Sequence, residues 1–159
     1  MPALQGDVAR ADAVRALETE FGVLARRHRT AIATLANRLS EGMLPGTYRV
    51  LVTIARHGQV TASALAEELA ADKAFISRSV RELESLGLIQ READPQDGRV
   101  FLLSTTPDGA ARLENVRAGY NGQMVRTLAT WEVADIRRLT ELLRALAAGT
   151  TPEQSGATL

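Results

Sequence analysis

The sequence contains no cysteine, and only 4% of its 159 residues are aromatic. The first absence excludes disulfides and thiol-based redox sensing within the chain. The second, set beside a hydrophobic content of 45%, points to a core built from alanine and leucine, which favours helices. No uninterrupted apolar run approaches the roughly 20 residues that span a bilayer. The opening MPALQGDVARAD also lacks the cationic and apolar regions of a secretory signal, so no membrane association is expected. Charge of one sign is missing too, because 19 Lys and Arg balance 19 Asp and Glu. Indiscriminate attraction to nucleic acid is thereby excluded, and any such binding must come from a local basic face. His28 and His57 stand far apart, with no paired acid at ligand spacing, so neither a metal nor a cofactor is expected. Ser63, Ser77, Ser79 and Ser104 have no base at a recognisable spacing, and no glycine-rich phosphate loop occurs. With Glu67-Glu68 and Glu82/Glu84 fitting exposed helix faces, no enzyme is expected.

What is present is concentrated between Asp72 and Pro107. At 100° per residue, Ile76, Val80 and Leu83 share one face, with Leu86 at its margin, while Ala74, Ser77, Arg78, Arg81 and Ser85 share the other. Asp72 is suited to accept from the free amides of a first turn, and Gly87 to supply the left-handed residue that ends a helix. The spacing therefore predicts a helix from Lys73 to Leu86. From Lys73 to Arg81 it carries three bases and no acid, against the balance of the whole chain. Ala74, Phe75 and Ser77 beside Arg78 make a mixture suited to thymine methyls, guanine O6 and N7, and phosphate oxygens in a major groove. A merely solvated face is the alternative for such cations, but that face would not need Phe75.

Two short apolar runs come next, Leu88 to Ala93 and Val100 to Ser104, separated by Asp94-Pro95-Gln96-Asp97-Gly98-Arg99. Turn residues at this density predict a hairpin with Asp97-Gly98 at its centre. Arg99 then stands at the start of the return strand, where a long cation reaches a minor groove, and Asp97 is placed to brace it by a charge-assisted hydrogen bond. In front of the basic helix, Thr61 to Ala71 has Leu65 and Leu69 above Glu67 and Glu68 and reads as another short helix. Two short helices, the second basic and apolar on its back, make a helix-turn-helix, and the hairpin adds a wing.

These residues resemble the MarR-type winged-helix transcriptional regulators. The resemblance lies in the order Leu65-Ala66, the serine-bearing second helix, Leu83-Glu84, Leu86-Gly87-Leu88-Ile89, Asp94-Pro95, Asp97-Gly98-Arg99, and Thr106 three before Gly109. Gly98 departs from it where a second wing arginine is frequent, and Thr105 where a leucine usually precedes the threonine. The resemblance implies a cytoplasmic repressor of transcription whose DNA affinity falls when a small-molecule effector binds. Effectors of the family often sit where the long first helix, the second helix and the winged helix meet. On that implication His28 and Tyr48 are the pocket candidates. Independently of it, His28 occupies an apolar stripe between Leu24 and Ile32, so it either meets a polar partner or faces a cavity.

The rest of the chain brackets this reader. Leu17, Phe21, Leu24, Ile32, Leu35 and Leu39 predict a long amphipathic helix from about Asp12 to Glu41. Pro45 to His57 predicts a helix stopped by Gly58, its His57 complementing the helix dipole. Thr106, Pro107 and Asp108 open another helix through Leu128. Thr130 is the expected cap of a last one carrying Val133, Ile136, Leu139, Leu143 and Leu146. The expected fold is mainly α: a winged helix-turn-helix over 45–106, with 12–44 and 107–148 as a discontinuous helical dimerisation region and 1–11 and 149–159 as flexible termini. A homodimer would read a pseudopalindrome on double-stranded DNA with two such heads; a monomer whose long helices only cover the winged helix is the alternative. In the reader, Ala74, Phe75, Ser77 and Arg78 are assigned to bases, Ser63, Lys73 and Arg81 to phosphates, and Arg99 to the minor groove. A winged helix used for protein contact, without specific DNA binding, is the competing function.

Overall fold

The first helix runs further than its apolar spacing implies. In the computed structural model, which describes the backbone of residues 2–152 and the side chains of 7–120 and 122–152, α1 spans Pro2–Leu39. Residues 2–11, expected as a flexible terminus, are helical. Alanines at 9, 11 and 13 make a run of good helix formers, and apolar spacing marks a helix only where one face is buried. Among the described residues, burial in α1 is confined to its far end, at Leu35, Ala36 and Leu39. Of the tail expected to be flexible, residues 149–152 are described, and residues 153–159 lie outside the described residues.

Helix α2, Pro45–His57, organises the core of the reader. Pro45 pre-sets its first turn, and Gly58, at φ 75°, ends it as the sequence predicts. Because Thr47, Tyr48, Val50, Leu51, Thr53 and Ile54 are all buried, more than one side of α2 is covered. It packs against α1, α3 (Ala62–Glu68), α4 (Lys73–Ser85) and β3 (Phe101–Thr105). Their inward residues Leu65, Ile76, Leu83 and Leu103 are almost fully buried. Each short helix has the cap its sequence offers. Thr61 accepts from the amide of Ala64 at 3.2 Å, and Asp72 from that of Phe75 at 2.8 Å. Gly87 adopts φ 68° where α4 stops.

The wing has three strands where two were expected. β1 (Val60–Thr61) pairs antiparallel with β3, which pairs antiparallel with β2 (Ile89–Ala93), in the order β1-β3-β2. Two residues are too few to show a period of two, so β1 left no trace in the sequence pattern. The hairpin register sets Ile89 opposite Thr105, Arg91 opposite Leu103 and Ala93 opposite Phe101. Its turn is centred on Gly98-Arg99 rather than Asp97-Gly98, because the amide of Val100 closes onto the carbonyl of Asp97 at 2.8 Å.

Helix α5, Pro107–Leu128, begins as predicted. The Thr106 hydroxyl accepts from the amide of Gly109 at 2.9 Å and donates to the carbonyl of Gly87 at 2.6 Å. Helix α6, Val133–Ala148, starts after Glu132 rather than Thr130, because a turn from Leu128 to Trp131 consumes Thr130 first. The chain divides into two compact units, one ending at Arg117 and the other starting at Ala118 within α5. Among the described residues no helix is long and apolar enough to cross a membrane, and no cluster of acidic or histidine side chains is arranged to hold a metal ion.

The start of α5 passes so close to the link between α4 and β2 that a Cβ on Gly109 would lie 2.0 Å from the carbonyl oxygen of Leu88. Gly109→Ala is expected to lower stability by about 1–3 kcal/mol through overpacking. Urea unfolding checks this; an unchanged midpoint would show that the crossing yields.

Candidate nucleic-acid interface

Helix α4 presents three sides, not two. Ile76, Val80 and Leu83 are buried on the core side. On the opposite side Ala74, Ser77, Arg78, Arg81 and Ser85 are all exposed, as the wheel requires. Between them lies a flank of Phe75, Ser79 and Glu82, turned toward the start of α2. A Cβ on Gly46 would stand 2.6 Å from the tip of the Phe75 ring, so the ring rests on a glycine and is only half exposed. This separates Phe75 from the base-facing group in which the sequence placed it. A helical wheel gives the flank but not which neighbour covers it.

The same flank carries a polar chain. Thr47 donates to Glu82 Oε2 at 3.1 Å. With its one proton so used, its oxygen accepts from Ser79, 3.3 Å away. Thr47 and Ser79 are buried, so each needs its partner.

The exposed side of α4 is electropositive without compensation. Among the described residues, no carboxylate lies within ion-pair distance of Lys73, Arg78, Arg81 or Arg99. Arg81 instead donates to Ser77 Oγ at 3.2 Å. Between α4 and the wing is a cleft of about 340 Å³ lined by Ser63, Lys73, Ser77, Arg91, Arg99 and Phe101, among others. The structure thus gathers Ser63, Lys73, Ser77 and Arg99 around one cleft, while Ala74, Arg78 and Arg81 do not line it.

Asp97 acts differently from expectation. Its carboxylate accepts from the backbone amide of Arg99 at 3.0 Å, not from the guanidinium. A short side chain two residues back reaches the main chain more readily than a long side chain leaving the loop. Asp94 repeats the device on Gln96 at 2.8 Å. Both shape the loop and leave the Arg99 charge without a carboxylate partner among the described residues.

Of the pocket candidates, His28 is exposed on α1 and Tyr48 buried on α2; the cleft beside the wing includes neither. Burial pushes the Tyr48 phenol above its ordinary value, with the Arg117 guanidinium opposing the shift. His57 does more than face a helix dipole. Its Nε2 lies 2.7 Å from Glu68, which also pairs with Arg56, so the acid read as solvated ties α3 to the end of α2. Sequence reasoning also missed Arg91 and Glu84, which form a two-pronged pair. The available signal was a cation at the strand position that alternates with buried Ile89. Arg112 was missed as well: it donates to the carbonyl of Leu39 at 2.7 Å, joining α5 to the end of α1.

Comparison with known proteins places this geometry. Residues 41–100 match the MarR family profile. The HTH-type transcriptional repressor MdtR of Bacillus subtilis (strain 168) is 32% identical over 89 residues, which are 56% of this chain and 57% of the relative. A Thauera aromatica relative is 38% identical over 77 residues, 48% of this chain and 46% of its own. The chain thus spans about half the length of the curated relatives it matches. A solved structure of a probable transcriptional regulator from Pseudomonas aeruginosa is 34% identical, with 82% of this chain and 98% of that one covered and a TM-score of 0.56. A MarR family transcription regulator has the same fold at a TM-score of 0.77, with 21% identity and coverage of 89% and 92%.

Thr47→Val keeps the shape of the buried side chain but strands Ser79 and Glu82. The expected cost is about 1–3 kcal/mol, read from denaturant unfolding; equal stability would mean that water replaces the hydroxyl.

Proposed function

The chain belongs to the MarR family of winged-helix transcriptional regulators, and from that premise we propose that it is a homodimeric, ligand-responsive repressor that reads a pseudopalindromic operator. The observation that carries the DNA reading is the set of exposed cations on α4 and the wing that have no carboxylate partner among the described residues, in a chain of formal net charge +0. Gathered on one face, these cations create a local positive potential that attracts a polyanion although the chain as a whole is neutral. Ala74, Ser77 and Arg78 face base edges in the major groove. Ser63, Lys73 and Arg81 hold phosphates, and Arg99 enters the minor groove from the wing. Phe75 supports the reading helix from behind, on Gly46. The repressor sign is supported by the name of the B. subtilis relative. A cytoplasmic location follows from a DNA target.

The dimer rests on apolar surface left open. On α1, Val14, Leu17, Phe21 and Leu24 are 39–58% exposed at the alternating spacing of three and four that suits a helix partner. On α6, Leu139, Leu142, Leu143 and Leu146 are also exposed. A second copy of the chain covers these faces, with 12–44 and 107–148 forming the dimerisation region around the 45–106 reader. The two reading helices then fall about 34 Å apart, one turn of DNA. An effector bound beside His28 and Tyr48 would alter that spacing.

Replacing Arg78 by Ala is expected to cost about 1–3 kcal/mol of operator binding and to relax preference at one base pair. Arg81→Ala weakens all sequences alike. Affinity falls steeply with salt, less steeply in Arg99→Ala. Binding assays over a salt series check all three; a flat salt profile with both α4 variants unaffected would favour the protein-contact role instead. Sedimentation of Phe21→Glu is expected to give monomers where the parent gives dimers, and a dimeric variant would move the interface off α1.

A further inference from the structure

We propose that Arg91 is a positioning residue that braces the wing against the recognition helix and so sets the reach of Arg99. The proposal rests on the DNA reading above for its consequence, but the brace itself is a matter of geometry.

Arg91, itself exposed, lies on the face of β2 that carries the buried Ile89, opposite the buried Leu103. It reaches the last turn of α4. Its Nε donates to Glu84 Oε1 at 3.1 Å and its Nη2 to Oε2 at 3.0 Å, a fork that fixes direction as well as distance. Its guanidinium carbon sits 5.4 Å from the centre of the Phe101 ring, within the range of a cation-π contact. Phe101 is on the same face of β3, one alternation outward from Leu103. One side chain of β2 therefore touches α4 and β3 together.

The wing needs such a brace. Strand β1 supports β3 only at Leu102 and Leu103, so beyond that level the hairpin is a two-stranded ribbon, which is marginal by itself. The loop bearing Arg99 continues from its unsupported end. Arg91 is also distinguished from the other cations of this surface by having its charge spent on a carboxylate, whereas Lys73, Arg78, Arg81 and Arg99 have none within reach among the described residues. A residue so paired acts by holding the wing, not by touching phosphate.

The two roles give opposite outcomes for Glu84→Gln. If Arg91 braces, the variant frees the wing and weakens DNA binding; if Arg91 is a phosphate ligand held back by Glu84, the variant releases a cation and tightens it. Because the chain has no cysteine, a single dye on Gln96→Cys in the full-length protein reports wing motion by time-resolved anisotropy. Glu84→Gln and Arg91→Met are expected to add a fast component absent from the parent, and Arg91→Lys, which keeps charge but not the fork, a smaller one. On a duplex selected by the parent protein from a random-sequence pool, Glu84→Gln is expected to lose roughly three- to thirtyfold in affinity. Hydroxyl-radical protection should fall at the wing's minor groove and persist under α4, with an unchanged salt slope. Unchanged wing motion in all variants, or tighter binding by Glu84→Gln, would overturn the brace. A pool yielding no duplex would instead overturn the DNA reading, while the anisotropy still decides whether Arg91 holds the wing.

Discussion

Helix α4 is thirteen residues long and has only one side to give to the core, and the whole interface depends on how that side is spent. Ile76, Val80 and Leu83 are committed to the interior, where α4 packs against α2. Their burial contributes of the order of 1.5–3 kcal/mol per side chain and fixes the rotation of the helix about its axis. Once that rotation is set, Ala74, Ser77, Arg78 and Arg81 have nowhere to point but outward. The chemistry of the surface is thus held in place by the apolar residues behind it.

Rotation alone does not place a reading head; tilt and the position of the wing matter equally. The flank of α4 supplies the first constraint. Phe75 seats on Gly46, and the Ser79-Thr47-Glu82 chain is satisfied in only one alignment of α2 and α4. Arg91 and Glu84 supply the second constraint, at the other end of the helix. Fixed geometry of this kind is what direct readout requires, since bidentate contacts to base edges tolerate little misplacement.

Much of this is legible in the sequence because it is local. The core face of α4, its cap at Asp72 and its stop at Gly87 are all properties of contiguous residues. So are the turn-rich loop after Ala93 and the Thr106-Pro107 start of α5. The misreadings share a physical origin in contacts between distant segments or between side chain and backbone. Phe75 joins the base-facing residues on paper because the neighbour that seats its ring, Gly46, belongs to another helix. Asp97 pairs on paper with the Arg99 side chain because sequence does not say that the nearer amide wins. Strand β1 exists only because Leu102 and Leu103 are alongside to pair with it. The early start of α1 escapes because residues 7–21 of the helix are exposed, so no buried face imprints a period there.

The most direct test of a two-headed reader is a hydroxyl-radical footprint of the full-length protein on the DNA upstream of its own gene. Two protected segments are predicted, related by a dyad and centred about 34 Å apart, one helical turn. A single protected segment, or uniform protection without a dyad, would contradict it.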